Sequence, residues 1–161
     1  IRNISGLGEL DFGAQPMQAM QKLETGNPLL PEKKVSVGES WKEKSSTPFP
    51  ASQGYQGILE VEKKVTLSDL TSMNDNRVAV LTEKRNLSMK MYRTGQDKPW
   101  KGFSGEGEAR GKFFFDIDNG RVIKGDMNTD MEISTRVSSA GSKIDTTVKL
   151  NIISSYKLVD K

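Results

Sequence analysis

The sequence predicts a mainly β protein, built as a long, strongly curved antiparallel sheet (a half-barrel-like meander) with one short N-terminal helix. Apolar and polar residues alternate at period two through most of the chain after residue 55, which is typical of half-buried strands. The alternating runs are much longer than the usual strand of about 5–6 residues, and long strands joined up-and-down coil strongly. We therefore expect residues 1–161 to form a single β-rich domain, with a helix- and loop-rich lead-in over 1–34 and the sheet over 35–161.

The lead-in contains the predicted helix, Pro16–Glu24. Its sequence, PMQAMQKLE, places Met17, Met20 and Leu23 on one side at helical spacing. Proline suits the first turn of a helix, and Gly26 is a plausible stop. This helix would be available to cover the concave face of the sheet.

The first strand is expected to be short. Val35, Val37 and Trp41 indicate a strand that is broken near Gly38. Residues 45–53 contain Pro48 and Pro50, and we expect them to form a loop. The next run, from Tyr55 to Ser68, carries apolar residues at odd positions and charged residues at even positions, and the polar cluster Ser72–Asn76 then turns the chain.

The run Arg77–Tyr92 alternates less cleanly, because Glu83 and Arg85 occupy positions on its apolar side. A bulge, a flip of face or passage beyond the core would each explain that pair. The remaining predicted elements are a loop with Gly95, Pro99 and Trp100, strands over Glu106–Ile117 and Arg121–Val137, a turn over Ser138–Ser142, and a last strand from Ile144 to Leu158.

The stretch DIDNG, residues 116–120, could be a metal loop, a catalytic carboxylate pair or a tight turn. Asn-Gly between two alternating runs is the strongest short hairpin signal. An EF-type calcium loop counted from Asp116 fails, since Gly120 falls at the fifth place, Arg121 at the sixth and Met127 at the twelfth. We therefore predict a hairpin in which Asn119 and Gly120 form a primed turn, with positive φ at Gly120.

Composition excludes much of the chemistry that a domain of this size could perform. The chain has no cysteine and no histidine, so disulfides, thiolate sites, Ser-His-Asp catalysis and the commonest zinc ligands are all excluded. Its 24 basic and 21 acidic residues form no long block of one charge, which gives no reason to expect nucleic acid as a partner. We predict no catalytic residue, no metal, no cofactor, no enzyme activity and no transmembrane segment in this chain. The start at Ile1 favours part of a longer precursor.

Methionines and a tryptophan are the candidate ligand-binding residues. Methionine adapts to varied apolar partners, and indole offers a large surface for stacking. Each feature has an ordinary alternative, since methionine also fills cores and tryptophan also closes the end of a sheet. The candidate set is Met20, Met89, Met91, Trp100, Met127 and Met131.

Two segments resemble a known family. LPEKKVSVGESWK (residues 30–42) and GEGEARGKFFFDIDNGRVIKGDMNTDMEI (residues 105–133) resemble the C-terminal half of a family of bacterial exported, lipoprotein-type proteins of unknown function. The resemblance implies an extracytoplasmic location (periplasmic, secreted or lipid-anchored) and supplies no activity. By shape alone, the expected architecture resembles periplasmic lipoprotein-carrier-like folds.

Two functional hypotheses follow. The first is a non-enzymatic envelope protein that binds an apolar or lipid-like ligand on the concave face of the sheet. The second is a structural or protein-interaction module of the cell envelope, acting through a sheet edge or the outer face.

Overall fold

A computed structural model describes residues 30–50, 54–139 and 142–158 of the chain. They form six antiparallel strands in one open sheet, in the order β1 to β6, so that each strand pairs with the next along the chain. The mainly β prediction is confirmed. The predicted helix Pro16–Glu24 lies outside the described residues. The strands are β1 (Ser40–Pro50), β2 (Tyr55–Met73), β3 (Asn76–Arg93), β4 (Phe103–Asp116), β5 (Arg121–Ser139) and β6 (Ser142–Lys157).

One face of the sheet is buried, and we call it the inner face. It carries the odd-numbered residues of β1, of β3 through most of its length and of β4, and the even-numbered residues of β6, because the register places these opposite one another across the sheet. All the buried apolar residues except Val78 and Val80 belong to one of two clusters. The Met89 cluster contains Phe49, Leu59, Val61, Leu87, Met89, Met91, Phe103 and Met131. The Phe113 cluster contains Val65, Leu67, Ala79, Leu81, Ala109, Phe113 and Met127.

The charged pair in β3 stays on the inner face. Glu83 and Arg85 are 3% and 2% exposed, and they pair regularly with residues of β2 and β4. The predicted explanations for this pair (a bulge, a flip of face or passage beyond the core) were therefore wrong, because the two charges bind each other. The irregularity lies instead in β2, between Leu67 and Asp69.

β1 differs from its prediction as well. Residues 45–50 belong to the strand rather than to a loop, whereas Val35 and Val37 lie before it. The backbone carbonyl of Glu39 accepts a hydrogen bond of 3.1 Å from Leu67 of β2, so by alternation the odd residues of β1 bond to β2 and the even ones face outward. Proline at an even position of an edge strand therefore costs no ladder bond.

The turns that join β2 to β3 and β4 to β5 both contain residues with positive φ. Asn74 and Asp75, between β2 and β3, have φ of 51° and 65°, as a primed two-residue turn requires. Between β4 and β5 the connection is longer, running from Ile117 to Gly120, and Gly120 has φ of 66°. The predicted hairpin and the positive φ at Gly120 are confirmed, but the predicted primed turn is wrong, because Asn119 does not share the positive φ and four residues join the strands.

Glycines let β5 lie close against β4. A Cβ on Gly107 would lie 2.6 Å from the backbone oxygen of Asp130, and one on Gly111 would lie 2.6 Å from that of Asp126. Such distances leave no room for a side chain. The inner face of β4 is consequently covered by long side chains from its neighbours, including Met127 and Met131 of β5.

Candidate functional site

Four of the predicted ligand-binding methionines lie in the buried inner face. Met89, Met91 and Met131 come together in the Met89 cluster, whereas Met127 lies in the Phe113 cluster. They are between 1% and 4% exposed, and each is packed against other side chains of the sheet. Met20 lies outside the described residues. The structure thus brings three of the predicted residues together, within a packed region.

Trp100 lies at one end of the sheet, in the connection between β3 and β4. Its indole is half-buried against the Met89 cluster, and its ring centroid is 5.1 Å from that of Tyr55. The Trp100 backbone N–H donates to the carbonyl of Met91 at 2.6 Å. A Cβ on Gly102 would lie 2.4 Å from the indole, so the ring rests on that glycine. These contacts close the end of the core.

A polar seam crosses the inner face between the two clusters. Glu83 and Arg85 of β3 form an ion pair there, with the Arg85 Nε donating to Glu83 Oε1. The other carboxylate oxygen, Glu83 Oε2, is buried and has no hydrogen-bond partner among the described residues. Toward β1 the seam continues through Lys63, whose Nζ lies 3.9 Å from a carboxylate oxygen of Glu43.

Tyr156 of β6 extends toward this seam from the far edge of the sheet. Its ring centroid lies 6.2 Å from that of Phe113. Burial, followed by the negative charge of Glu83, raises the pKa of Tyr156 to about 12. The phenol is therefore neutral at physiological pH and offers a hydrogen-bond donor on the seam's side of the sheet.

The two aspartates of the β4–β5 turn have protein partners. The Asp116 carboxylate accepts hydrogen bonds from the Asn119 side chain at 2.8 Å, the Asn119 backbone at 3.0 Å and Asn76 at 3.1 Å. The two bonds from Asn119, that of its side chain foremost, lower the pKa of Asp116. Asp118 binds the Arg77 guanidinium at 2.7 and 2.9 Å. Both carboxylates therefore stabilise neighbouring turns, as the hairpin interpretation predicts.

The outer face carries a shallow polar groove of about 880 Å³ over β3, β4 and β5. Its acidic side chains have local partners: Glu108 lies 3.6 Å from Lys84 and 3.2 Å from Arg110, whereas Glu106 and Asp130 accept hydrogen bonds from Ser88 at 3.0 Å and from Asn151 at 2.7 Å. Within the described ranges, no group of three or more acidic, histidine or cysteine residues could hold a metal ion. We interpret the groove as a charged, solvated sheet face.

The β6 edge is the most unusual surface of the described chain. Large apolar side chains on β6 are exposed, at 50% for Ile144, 46% for Val148, 75% for Ile153 and 41% for Tyr156. Further along the inner face, Leu150 and Ile152 pack against the Met89 cluster. Ile144, Val148 and Tyr156, at even positions, are thus continuous with the apolar inner face, whereas Ile153 lies on the outer face.

In the part of the chain that the structure describes, β6 pairs with β5 only, so its other backbone edge is open to a partner. The N–H of Leu158 donates to the carbonyl of Ile123 at 2.7 Å, so by alternation the even residues of β6 bond to β5 and the odd ones face solvent. No proline interrupts Ser142–Lys157, whereas β1, at the opposite edge, contains Pro48 and Pro50. Of the two edges, β6 alone presents an unbroken row of backbone donors.

A sheet edge is among the surfaces that the sequence predicts for interaction, but the exposure of the apolar residues of β6 is not predicted. The alternation of Ile144, Val148 and their neighbours was assigned to the buried face, because a period-two pattern does not say whether a strand is central or at an edge. The signal that could have identified it is the position of this run as the last strand of a meander, which has a neighbour on one side only.

Comparison of the chain with family models, curated proteins and solved structures found no match. Among the described residues, no helix has both the length and the apolar character needed to cross a membrane.

Proposed function

We propose that this protein is a non-enzymatic interaction module of the bacterial cell envelope, whose β6 edge binds an extended polypeptide strand. The observation that carries the proposal is the combination, on one strand, of exposed apolar side chains and an open, proline-free backbone edge. Strand addition uses both features, because main-chain hydrogen bonds supply affinity and alternate side chains supply specificity. The extracytoplasmic location belongs to the same proposal and rests on the family resemblance.

The number of exposed apolar side chains on β6 indicates a surface that a partner covers. Solitary exposed apolar residues are normal on protein surfaces, but contiguous ones mark interaction sites. Ile144, Val148 and Tyr156 lie on the same face of β6 and continue the apolar face of the sheet. A strand added beside β6 would cover part of this face and satisfy the outward backbone groups.

Hydrogen exchange on the intact chain tests the proposal. We expect the amides of Thr147, Lys149 and Asn151, at odd positions, to exchange fast in the isolated monomer. A designed peptide in which isoleucine alternates with threonine should slow their exchange. Thr147→Pro should abolish this protection, because it removes an outward donor without touching the β5 ladder, whereas Thr147→Ala should retain it. Slow exchange at the odd positions of a partner-free monomer would overturn the proposal.

Binding of an apolar or lipid-like ligand is a second candidate function. It is supported by the methionines of the Met89 cluster, which continue through Leu150 and Ile152 to the exposed face of β6. Curvature of the sheet into a half-barrel would make that face concave, and a ligand would enter at β6. Native mass spectrometry of the protein purified without detergent, followed by displacement of a fluorescent apolar probe, tests it. Absence of both bound lipid and probe displacement would reject this candidate.

A further inference from the structure

We infer that the strand bound by β6 is β6 of a second copy of this chain, paired antiparallel about a two-fold axis at Asn151. The inference rests on the proposed function, since it names the partner for the same edge. It follows from the difference between the two sheet edges, from the self-complementary sequence of β6 and from the positions of its charges.

The difference between the two sheet edges favours a closed dimer over an assembly that continues to grow. A chain with two open edges can add copies at both ends and form a fibre, whereas a chain with one open edge stops at two. Here Pro48 and Pro50 leave gaps in the donors of β1, and proline is a common device for blocking an edge. β6 is free of proline and is exposed on both faces over residues 142–149. An isologous β6–β6 dimer uses the one available edge of each copy.

When β6 pairs antiparallel with β6 of the second copy, the inner faces of both sheets stay on the same side. Odd residues must lie opposite odd residues, so that outward backbone groups meet and inner faces remain on one side. With the axis at Asn151, each residue lies opposite the one equally far on the other side of Asn151. Leu150 then faces Ile152 and Ile144 faces Leu158, so two kinds of apolar pair form on the inner face, whereas Val148 faces Ser154.

The charged residues of β6 favour the register with the axis at Asn151 over the register with the axis at Leu150. With the axis at Asn151, Asp145 of each copy faces Lys157 of the other, so two opposite-charge pairs form. With the axis at Leu150, Lys143 would face Lys157 twice, and like charges directly opposite are unfavourable. Asp145 already accepts hydrogen bonds from Arg136 at 2.6 and 3.0 Å, but each carboxylate oxygen keeps a second acceptor position.

The first measurement is the mass of the full chain in solution, by sedimentation equilibrium across a range of concentrations. We expect reversible association from 17.8 kDa to twice that mass. Lys157→Glu should weaken dimerisation about tenfold, because it places a glutamate opposite Asp145 at two symmetric positions. Asp145→Lys should weaken it similarly. An equimolar mixture of the two variants should associate as the wild type does, since each copy then supplies the charge that the other lacks.

The outcomes separate the inference from the proposed function. If the wild type stays monomeric but still binds the designed isoleucine–threonine peptide at β6, the second-copy inference fails and the proposed function stands. If the odd amides of β6 are protected in the monomer, another part of the chain covers the edge and both fail. A dimer that ignores the two charge variants, or a mixture that does not recover, would show that the Asn151 register is wrong. Circular dichroism of each variant checks that its fold is retained.

Discussion

Gly120 shows how a single backbone angle constrains a turn. Its φ of 66° falls in the region that residues with a Cβ rarely adopt, and no atom lies within 4 Å of the position that a Cβ would take. The requirement is therefore conformational rather than steric. Gly120→Val should lower the free energy of unfolding by about 1–3 kcal/mol, because a β-branched residue is strained there.

Urea denaturation followed by circular dichroism measures this loss. Gly120→Asn is the matched control, since asparagine tolerates the left-handed region better than valine does. If both variants lose equal stability, the loss comes from removing the glycine and not from β-branching at a positive φ.

Tyr156 gives a prediction at alkaline pH. Its pKa is raised to about 12 in the folded chain, chiefly by burial, whereas an unfolded tyrosine titrates near 10. The folded state therefore favours the neutral phenol. The resulting contribution to stability is complete below pH 10 and is lost as the pH rises toward 12.

Absorbance of the phenolate against pH should show a late ionisation step from Tyr156, and Tyr156→Phe should remove that step. The same variant should flatten the fall of the melting temperature between pH 10 and 12. If Tyr156→Phe leaves the titration curve with its late step, the hydroxyl is not the buried one.

Individual residues also show which features of the structure the sequence can predict and which it cannot. The positive φ at Gly120 was predictable, because Asn-Gly between alternating runs has a local cause. The Glu83–Arg85 pair was visible as an irregularity, but its explanation required knowing that both side chains stay buried and bind each other. The sequence pattern shows that two charges interrupt the apolar side of β3, but only the packing of these side chains explains why they are there.

At the scale of elements, the two edge strands are built differently. β1 was partly misread as a loop, because proline normally breaks strands, yet at an outward-facing edge position it costs no hydrogen bond. β6 was read as an ordinary half-buried strand, although residues 142–149 are exposed on both faces. The central strands β2 to β5 were predicted well, since burial of one face imposes a strict period of two.

The prolines of β1 therefore predict a change in assembly. Replacing Pro48 and Pro50 with threonine restores two outward donors and gives the chain a second open edge. We expect this double variant to form species larger than a dimer, detected by light scattering at increasing concentration. Introducing Thr147→Pro into the same variant should limit assembly again, because β6 is then blocked. Unchanged size of the Pro48/Pro50 variant would mean that something other than proline protects β1.

At the scale of the whole molecule, the core is two apolar clusters separated by a polar seam. A meander whose strands all alternate at period two can slip by two residues and keep its inside and outside faces. Apolar packing alone discriminates weakly between such registers. A buried ion pair at one level of the sheet penalises every register that moves its charges into either cluster. We interpret the Glu83–Arg85 pair as a device that fixes the register of β3.

Two variants separate this role from simple stabilisation. Glu83→Leu removes the carboxylate that the buried Arg85 guanidinium binds and should cost about 3–5 kcal/mol of unfolding free energy. Replacing Glu83 and Arg85 together with leucine and methionine removes both charges, and also the unpaired Glu83 Oε2. That double variant should be as stable as the wild type or up to about 4 kcal/mol more stable. Its amide NMR spectrum decides the role of the pair: extra resonances for residues of β2 to β4 would reveal alternative registers, whereas a single sharp set would show that packing alone fixes the sheet.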